Sequence, residues 1–233
     1  MSSLVEFVRS LELDESLTLD SPSAKVVAGS IASFTSKLSG QQLEDVQNST
    51  LLAQLAANKK FPDEEDFVDW YKFYRHVLSQ LGWIMQDLGF DKYKSQQASF
   101  KLSQVTLELL SAMVGEEEQL FTVVKYTLES LAESPHGQAL FKANSASGQN
   151  GRFQILPCTV TNGQVSLAFI GAYFKASQVS DDFFFFSYES QDISLHKATQ
   201  VFTLNEAVYG EVRQIVMNKL GSHAHKFIDD LQL

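Results

Sequence analysis

A chain of 233 residues, 44% apolar and 20% charged, has enough material to bury a sizeable core, and its composition excludes global disorder. The formal net charge is -10, from 28 acidic against 18 basic residues, and no stretch concentrates Lys or Arg, which excludes a phosphate-binding surface and hence a nucleic-acid partner. The same acidity repels an anionic lipid surface, so contact with a membrane would need an exposed apolar element or a lipid anchor.

Cys158 is the only cysteine, so no intrachain disulfide can form and the fold must rest on its core. Glu6, Arg9, Glu12, Asp14 and Glu15 interrupt the apolar positions between Met1 and Leu19, which breaks the apolar stretch of a secretory signal. The expectation is a cytoplasmic protein, or one exported by a route without such a signal. No run approaches the roughly 18 apolar residues of a membrane-spanning helix. Asn48-Ser49-Thr50 fits the glycosylation pattern but lacks the secretory context that would give it meaning.

In chain order, Leu4, Phe7, Val8 and Leu11 stand at helical spacing and predict a short amphipathic helix over 4–13. Ser21-Pro22 has the form of an N-cap followed by proline at the first helical position, and Val27, Ile31, Phe34 and Leu38 form one stripe, predicting a second helix that ends at Gly40. From Gln41 to Lys60 the pattern predicts a helix broken near Asn48-Ser49-Thr50. Acidic residues at 63–66 favour the positive end of a helix dipole, and the apolar positions from Phe67 to Met85 cover more than one stripe. That predicts a central helix closed by Gly89, followed by a polar connection over 91–97. Two helices follow, Leu102 to Val114 and Glu116 to Ala132, and Ser134-Pro135 opens a short one reaching Phe141.

The segment 144–151, Asn-Ser-Ala-Ser-Gly-Gln-Asn-Gly, is a composition break read as a loop, and beyond it the apolar period changes to two. Phe153 to Val160 and Gln164 to Ala176 flank Asn162-Gly163, the turn pair of a β-hairpin. Val165, Leu167, Phe169 and Tyr173 share one face of the second strand, and Ala168, Ile170 and Phe174 make the other face apolar as well, which predicts a strand buried on both sides. Residues 181–188, with Phe183, Phe184, Phe185 and Phe186, read as a third strand behind gatekeeping aspartates. A fourth runs from Ile193 to Phe202, and Thr203 to Glu206 fits a capping box for a C-terminal helix that continues past Gly221 to about 231. The predicted architecture is α+β and one domain over 1–233: a helical part at 1–143, a loop at 144–151, a four-stranded antiparallel meander at 152–202 and a helix at 203–231.

No Walker-type phosphate loop, dinucleotide fingerprint, Gly-x-Ser-x-Gly elbow or His-Glu-x-x-His occurs, so the sequence leans away from an enzyme and implies no cofactor. Cys158 with His196 one strand away is the one catalytic pair the pattern allows, a thiolate nucleophile with its base. Cys158 is also a candidate for a thioester-linked acyl chain. His223 and His225 stand two apart, off a common helix face, and with Asp229 and Asp230 make no metal site; Glu116-Glu117-Glu118 is a helix first turn. The aromatic excess is the anomaly. It clusters over 61–83 and 153–202, two regions expected to pack on each other as core. Trp70, Trp83 and Phe183 to Phe186 are the other candidates, beside Cys158, for contact with a lipid or a partner. The function expected is a non-enzymatic interaction protein acting on another protein or on a membrane, in its sharp form a toxin-like effector using an apolar β-hairpin or an acylated cysteine. The alternatives are a carrier of a hydrophobic ligand held between helices and sheet, and an enzyme using Cys158 and His196. No pattern speaks to oligomeric state.

Overall fold

The computed structural model describes residues 3–11, 26–35, 38–85, 90–114, 118–180, 182–221 and 228–229. Its spine is three long neighbouring antiparallel strands, β7 (Asn150–Thr161), β8 (Gln164–Ala176) and β10 (Ile193–Leu204). Asn162 and Gly163, both with positive φ, close the β7–β8 hairpin with the two-residue turn their types allow. The sheet extends beyond β7 through β2 (Ser30–Phe34), which is parallel to it, then β1 (Val26–Val27) and β11 (Ile228–Asp229). On the far side β10 pairs with β3 (Trp83–Ile84) and β4 (Asp91–Lys92). A separate ribbon joins β5 (Ser99–Lys101) to β9 (Ser187–Glu189).

Helices cover both faces of this sheet. On one side lie α1 (Ser3–Ser10), α2 (Gly40–Lys60), α3 (Phe67–Gln80) and α7 (Glu206–Leu220), whose buried side chains join Leu156, Cys158, Val165, Leu167, Phe169 and Phe202 in one core. On the other lie α4 (Leu102–Val114), α5 (Glu118–Ala132) and α6 (Pro135–Ser145), which share a second core with Phe153, Ile155, Ala168, Ile170 and Phe174. The alternation along β8 thus feeds one core with odd-numbered side chains and the other with even-numbered ones, as the two apolar faces of that strand require.

The α+β class is as expected; the layout differs in several places. Among the described residues the sheet is mixed and has nine strands rather than four. The stripe Val27, Ile31, Phe34 belongs to β1 and β2, not to a helix ending at Gly40. Ser30, Ile31, Ala32 and Ser33 are all buried, and a strand covered on both faces reads as an unbroken run of apolar and small residues that periodicity cannot tell from helix. The hairpin between them is held from outside: Gln54 of α2 donates to the Val27 carbonyl and the Ser30 hydroxyl and accepts from the Gly29 amide. The N-cap proposed at Ser21-Pro22 lies outside the described residues.

Helix α2 is unbroken, because the Ser49 and Thr50 hydroxyls donate back to the Val46 carbonyl and leave the helical ladder intact. The central helix stops at Gln80, and Trp83 and Ile84, assigned to it from sequence, pair with β10. The 144–151 segment is not a free loop: α6 runs to Ser145, and Ala146–Ser147 form a short strand, β6, against the start of β7. Gly151 is needed there, since a Cβ would sit 2.1 Å from the Phe174 ring. Helix α7 is capped by Asn205, whose side chain accepts from the Val208 amide, while Thr203 remains in β10. The expected extension of this helix over 222–227 lies outside the described residues, and Ile228–Asp229 form a strand.

The third strand is the clearest correction. Residues 182–186 form tight turns in which the Asp182 carbonyl accepts from both the Phe185 and Phe186 amides. Phe183 stacks on Phe141 at 5.7 Å and on Phe174 at 5.5 Å, while Phe184 meets Phe153 edge-on at 5.2 Å. Four consecutive phenylalanines in a strand would put half their rings on each face; the turn lets two neighbours enter one core.

Candidate functional site

Cys158 sits on β7 and points into the core beneath α2 and α3, fully buried, with its thiol donating to the Leu156 carbonyl at 3.2 Å. Burial pushes that thiol well above its ordinary value, so at neutral pH it is protonated and a poor nucleophile. Its cross-strand partner is Leu167, which pairs with Phe202, and His196 lies six residues back along β10 from Phe202, about 20 Å at ~3.3 Å per residue. His196 packs instead against Phe67 and Tyr173, with centroids at 5.6 and 6.2 Å. The structure does not bring thiol and imidazole together.

Trp70 and Trp83 are both buried and both satisfied: the Trp70 indole donates to Asn58 at 2.8 Å and the Trp83 indole to Ser49 at 3.0 Å. The Arg152 guanidinium lies 4.4 Å over the Trp70 ring, so the one buried cation of β7 is held by an aromatic face. Between α3 and β8, the space a hydrophobic ligand would need is filled by rings: Tyr71 and Tyr74 pack on Phe169 at 5.0 and 6.1 Å, and Phe67 stacks on Tyr173 at 4.1 Å. Among the described residues neither the Tyr71 nor the Tyr74 phenol oxygen has a hydrogen-bond partner, and burial drives both hydroxyls above their usual titration range. Of the phenylalanine run, Phe183 and Phe184 are buried, Phe185 is half-buried and Phe186 is 51% exposed. Among the described residues no group of three His, Cys, Asp or Glu side chains is arranged to hold a metal ion.

What the structure does assemble is an apolar sheet sealed by two helical layers. The strands β7, β8 and β10 have 12, 13 and 12 residues, and each carries buried apolar side chains on both faces. The two layers are attached differently. Toward α2 and α3 the sheet is met by the Gln54 hub and by Arg152 against Trp70 and Asn58, and a bidentate Arg213–Asp45 pair at 2.7 and 2.8 Å joins α7 to α2; toward α5 the Ser33 hydroxyl donates to Thr127 at 3.0 Å.

Sequence gave no warning of one further feature. Between residues 93–100 and the first turns of α4 lies an open cleft of about 540 Å³. Its floor is Phe100 and Val105; its rim carries Tyr93, Gln96, Gln104 and Glu108. The Tyr93 hydroxyl donates to Glu108 at 2.9 Å, and burial together with this bond pushes the phenol up to about 12. In sequence this segment reads as a polar connection. The one available signal is Gln96-Gln97 followed by Gln104 and Glu108, side chains on a loop and a helix whose convergence needs the β5–β9 ribbon to be known.

No protein-family model matches this chain, and no curated protein does. Among solved structures, the Evf virulence factor is similar over 99% of this chain and 91% of its own, at a TM-score of 0.40 and 14% identity. A delta-endotoxin is similar over 83% of this chain and 87% of its own, at 0.42 and 11%. The activated Cyt2Ba monomer from Bacillus thuringiensis subsp. israelensis is similar over 75% of this chain and 94% of its own, at 0.37 and 10%.

Proposed function

We propose that this protein is a non-enzymatic, toxin-like effector that acts on membranes, and that its membrane element is the sheet built around the β7–β8 hairpin. The observation behind the proposal is strand length combined with two apolar faces. A strand crossing a bilayer needs about 9–11 residues, and β7, β8 and β10 run to 12 or 13 with consecutive antiparallel pairing and a tight turn at Asn162-Gly163. A helical route has less support, since among the described residues no helix is long and apolar enough to cross a membrane. Released from its covering helices, the sheet would expose apolar rows that water disfavours at about 25 cal/mol per Å², and a lipid phase would accept them.

The α4–α6 layer is the one to separate, because the polar tie found between it and β2 is a pair of neutral hydroxyls. Replacing Ser33 and Thr127 with cysteine puts two thiols where the oxygens are 3.0 Å apart, so oxidation locks α5 to the sheet. Dye release from liposomes of neutral and of anionic lipid, at neutral and acidic pH, is expected from the native protein and from the reduced double variant, and to fall at least tenfold in the oxidised form. Equal release in both redox states removes the sheet as the membrane element. Absence of release and of flotation with every lipid removes the membrane function itself.

A further inference from the structure

We infer that the cleft between Tyr93 and α4 binds a neutral saccharide. This goes beyond the membrane role and does not depend on it. A cleft of about 540 Å³ is within the roughly 300–1,000 Å³ range of small-molecule sites. Its chemistry narrows the class. A sugar ring presents an apolar C–H face and a rim of vicinal hydroxyls that each donate and accept; its complement is an aromatic or aliphatic floor edged by planar amides and carboxylates. The cleft has that division: the half-buried Tyr93 ring stands over the buried Phe100 and Val105, and the rim carries Gln96, Gln97, Gln104 and Glu108.

Gln96 and Gln97 are exposed at the rim, and each side-chain amide offers both a donor and an acceptor. Gln104 accepts from the Lys101 amide through its oxygen, which fixes the side chain and leaves its NH₂ group to donate. The Glu108 carboxylate is held by the Tyr93 hydroxyl and keeps further lone pairs for sugar hydroxyls. No lining residue is cationic, and the single charge is negative, which disfavours phosphorylated or acidic ligands; too little apolar surface is open for a lipid chain. The rim is also set in place before any ligand arrives. Ser95 accepts from the Gln97 amide and donates to its carbonyl, the Tyr93 amide donates to Leu195 of β10, and the Tyr93 and Phe100 rings meet edge-on at 5.9 Å. Pre-set polar groups lower the ordering cost of binding.

The test is saturation-transfer NMR on the full chain with the methyl glycosides of glucose, galactose, mannose and N-acetylglucosamine at millimolar concentration, with glucuronic acid as the anionic control. Transfer to at least one neutral glycoside is expected, with the C–H face most strongly saturated, and a loss of at least fivefold in Gln96→Ala, Gln97→Ala and Glu108→Ala, whose exposed positions leave the melting temperature unchanged. Tyr93→Phe, which keeps the ring and frees Glu108, retains contact with the C–H face but weakens binding two- to fivefold. No transfer from any neutral glycoside overturns the proposal, as does unchanged binding in the three alanine variants, or glucuronic acid binding as well as the neutral sugars. Flotation with vesicles of phosphatidylcholine, with and without a neutral glycosphingolipid, separates a lipid-borne sugar from a free one: co-flotation that a soluble glycoside competes away identifies the headgroup as the source, and glycoside binding without co-flotation identifies a free glycan. Because these readouts register binding and not permeabilisation, they fail or succeed independently of dye release.

Discussion

The two helical layers cover the same sheet but are attached by different physics. The layer of α2, α3 and α7 carries charged and amide contacts beside its apolar ones: Asp45 of α2, almost fully buried, takes a bidentate hydrogen bond from Arg213 of α7 and so joins those two helices to each other, while Gln54 satisfies the β1–β2 turn and Arg152 of β7 meets Trp70 and Asn58, tying helices to sheet. The layer of α4, α5 and α6 meets the sheet through the aliphatic side chains of α4 and α5 and an aromatic group, Phe141 of α6 with Phe153, Phe174, Phe183 and Phe184, in mutual edge and stacked contacts. Apolar contact is non-directional, and an apolar surface that leaves the sheet can be taken up by lipid. The buried Arg152 guanidinium and Gln54 amide cannot be exchanged in that way without desolvation cost. On the proposed membrane role, the difference predicts which layer stays and which parts.

The largest way to break this contrast is at the fixed layer. Trp70→Ala removes a fully buried ring, the partner of Asn58 and the seat of Arg152, and is expected to cost about 4–5 kcal/mol in denaturant unfolding. Phe184→Ala empties the second core and should cost about 3–4 kcal/mol. The sharper readout is dye release: Phe184→Ala is expected to raise it by loosening the separable layer, whereas Trp70→Ala at matched destabilisation leaves it unchanged. Asp45→Ala breaks the pair with Arg213. Because that guanidinium is about 30% exposed and can rehydrate, the expected loss is about 2 kcal/mol, below the range for wholly buried pairs, again with no gain in release.

Alkaline pH probes the fixed core through Cys158. Its folded-state thiol is held above the unfolded value of about 8.5, so the unfolded chain loses a proton that the folded one keeps; full stability holds below pH ~8.5 and declines as pH rises toward the folded value. At about 1.4 kcal/mol per pH unit, the native chain should lose about 1–2 kcal/mol between pH 8.5 and 10 relative to Cys158→Ser, measured as the difference in denaturant midpoint between the two proteins. The smallest effect is expected at Tyr74→Phe. Removing a buried hydroxyl without a partner among the described residues should be neutral or stabilising by up to about 1 kcal/mol, and a loss above that would mean the hydroxyl is satisfied after all.

Much of the sheet's heart was legible in the sequence. Asn162-Gly163 marks its turn through backbone preference alone, and the two apolar faces of β8 announce cover on both sides, because a half-exposed strand cannot carry Phe169 and Phe174 on opposite faces. The helix misread over 27–34 and the strand misread over 182–186 share one cause. In each, a local pattern was overruled by a distant partner, Gln54 satisfying a hairpin in the first case and Phe141 with Phe174 drawing rings inward in the second. The candidate sites were less legible still: Trp70, Trp83, Phe183 and Phe184 stood out by size, and size is what the interior recruits. The Tyr93 cleft was invisible because its parts come from a loop and a helix aligned by a ribbon whose second strand is 88 residues further on, Phe100 opposite Tyr188.

The parallel pairing of β2 with β7 has a consequence for synthesis. Ser30 stands beside Gln154, 124 positions downstream, and the intervening chain contains α2 and α3 of one layer and all three helices of the other. A nascent chain leaving the ribosome therefore carries β1 and β2 with their open edge unpaired until β7 emerges, and closing so wide a loop is slow. Throughout that interval the growing polypeptide exposes an unpaired strand edge, the kind of surface through which one nascent chain adheres to another.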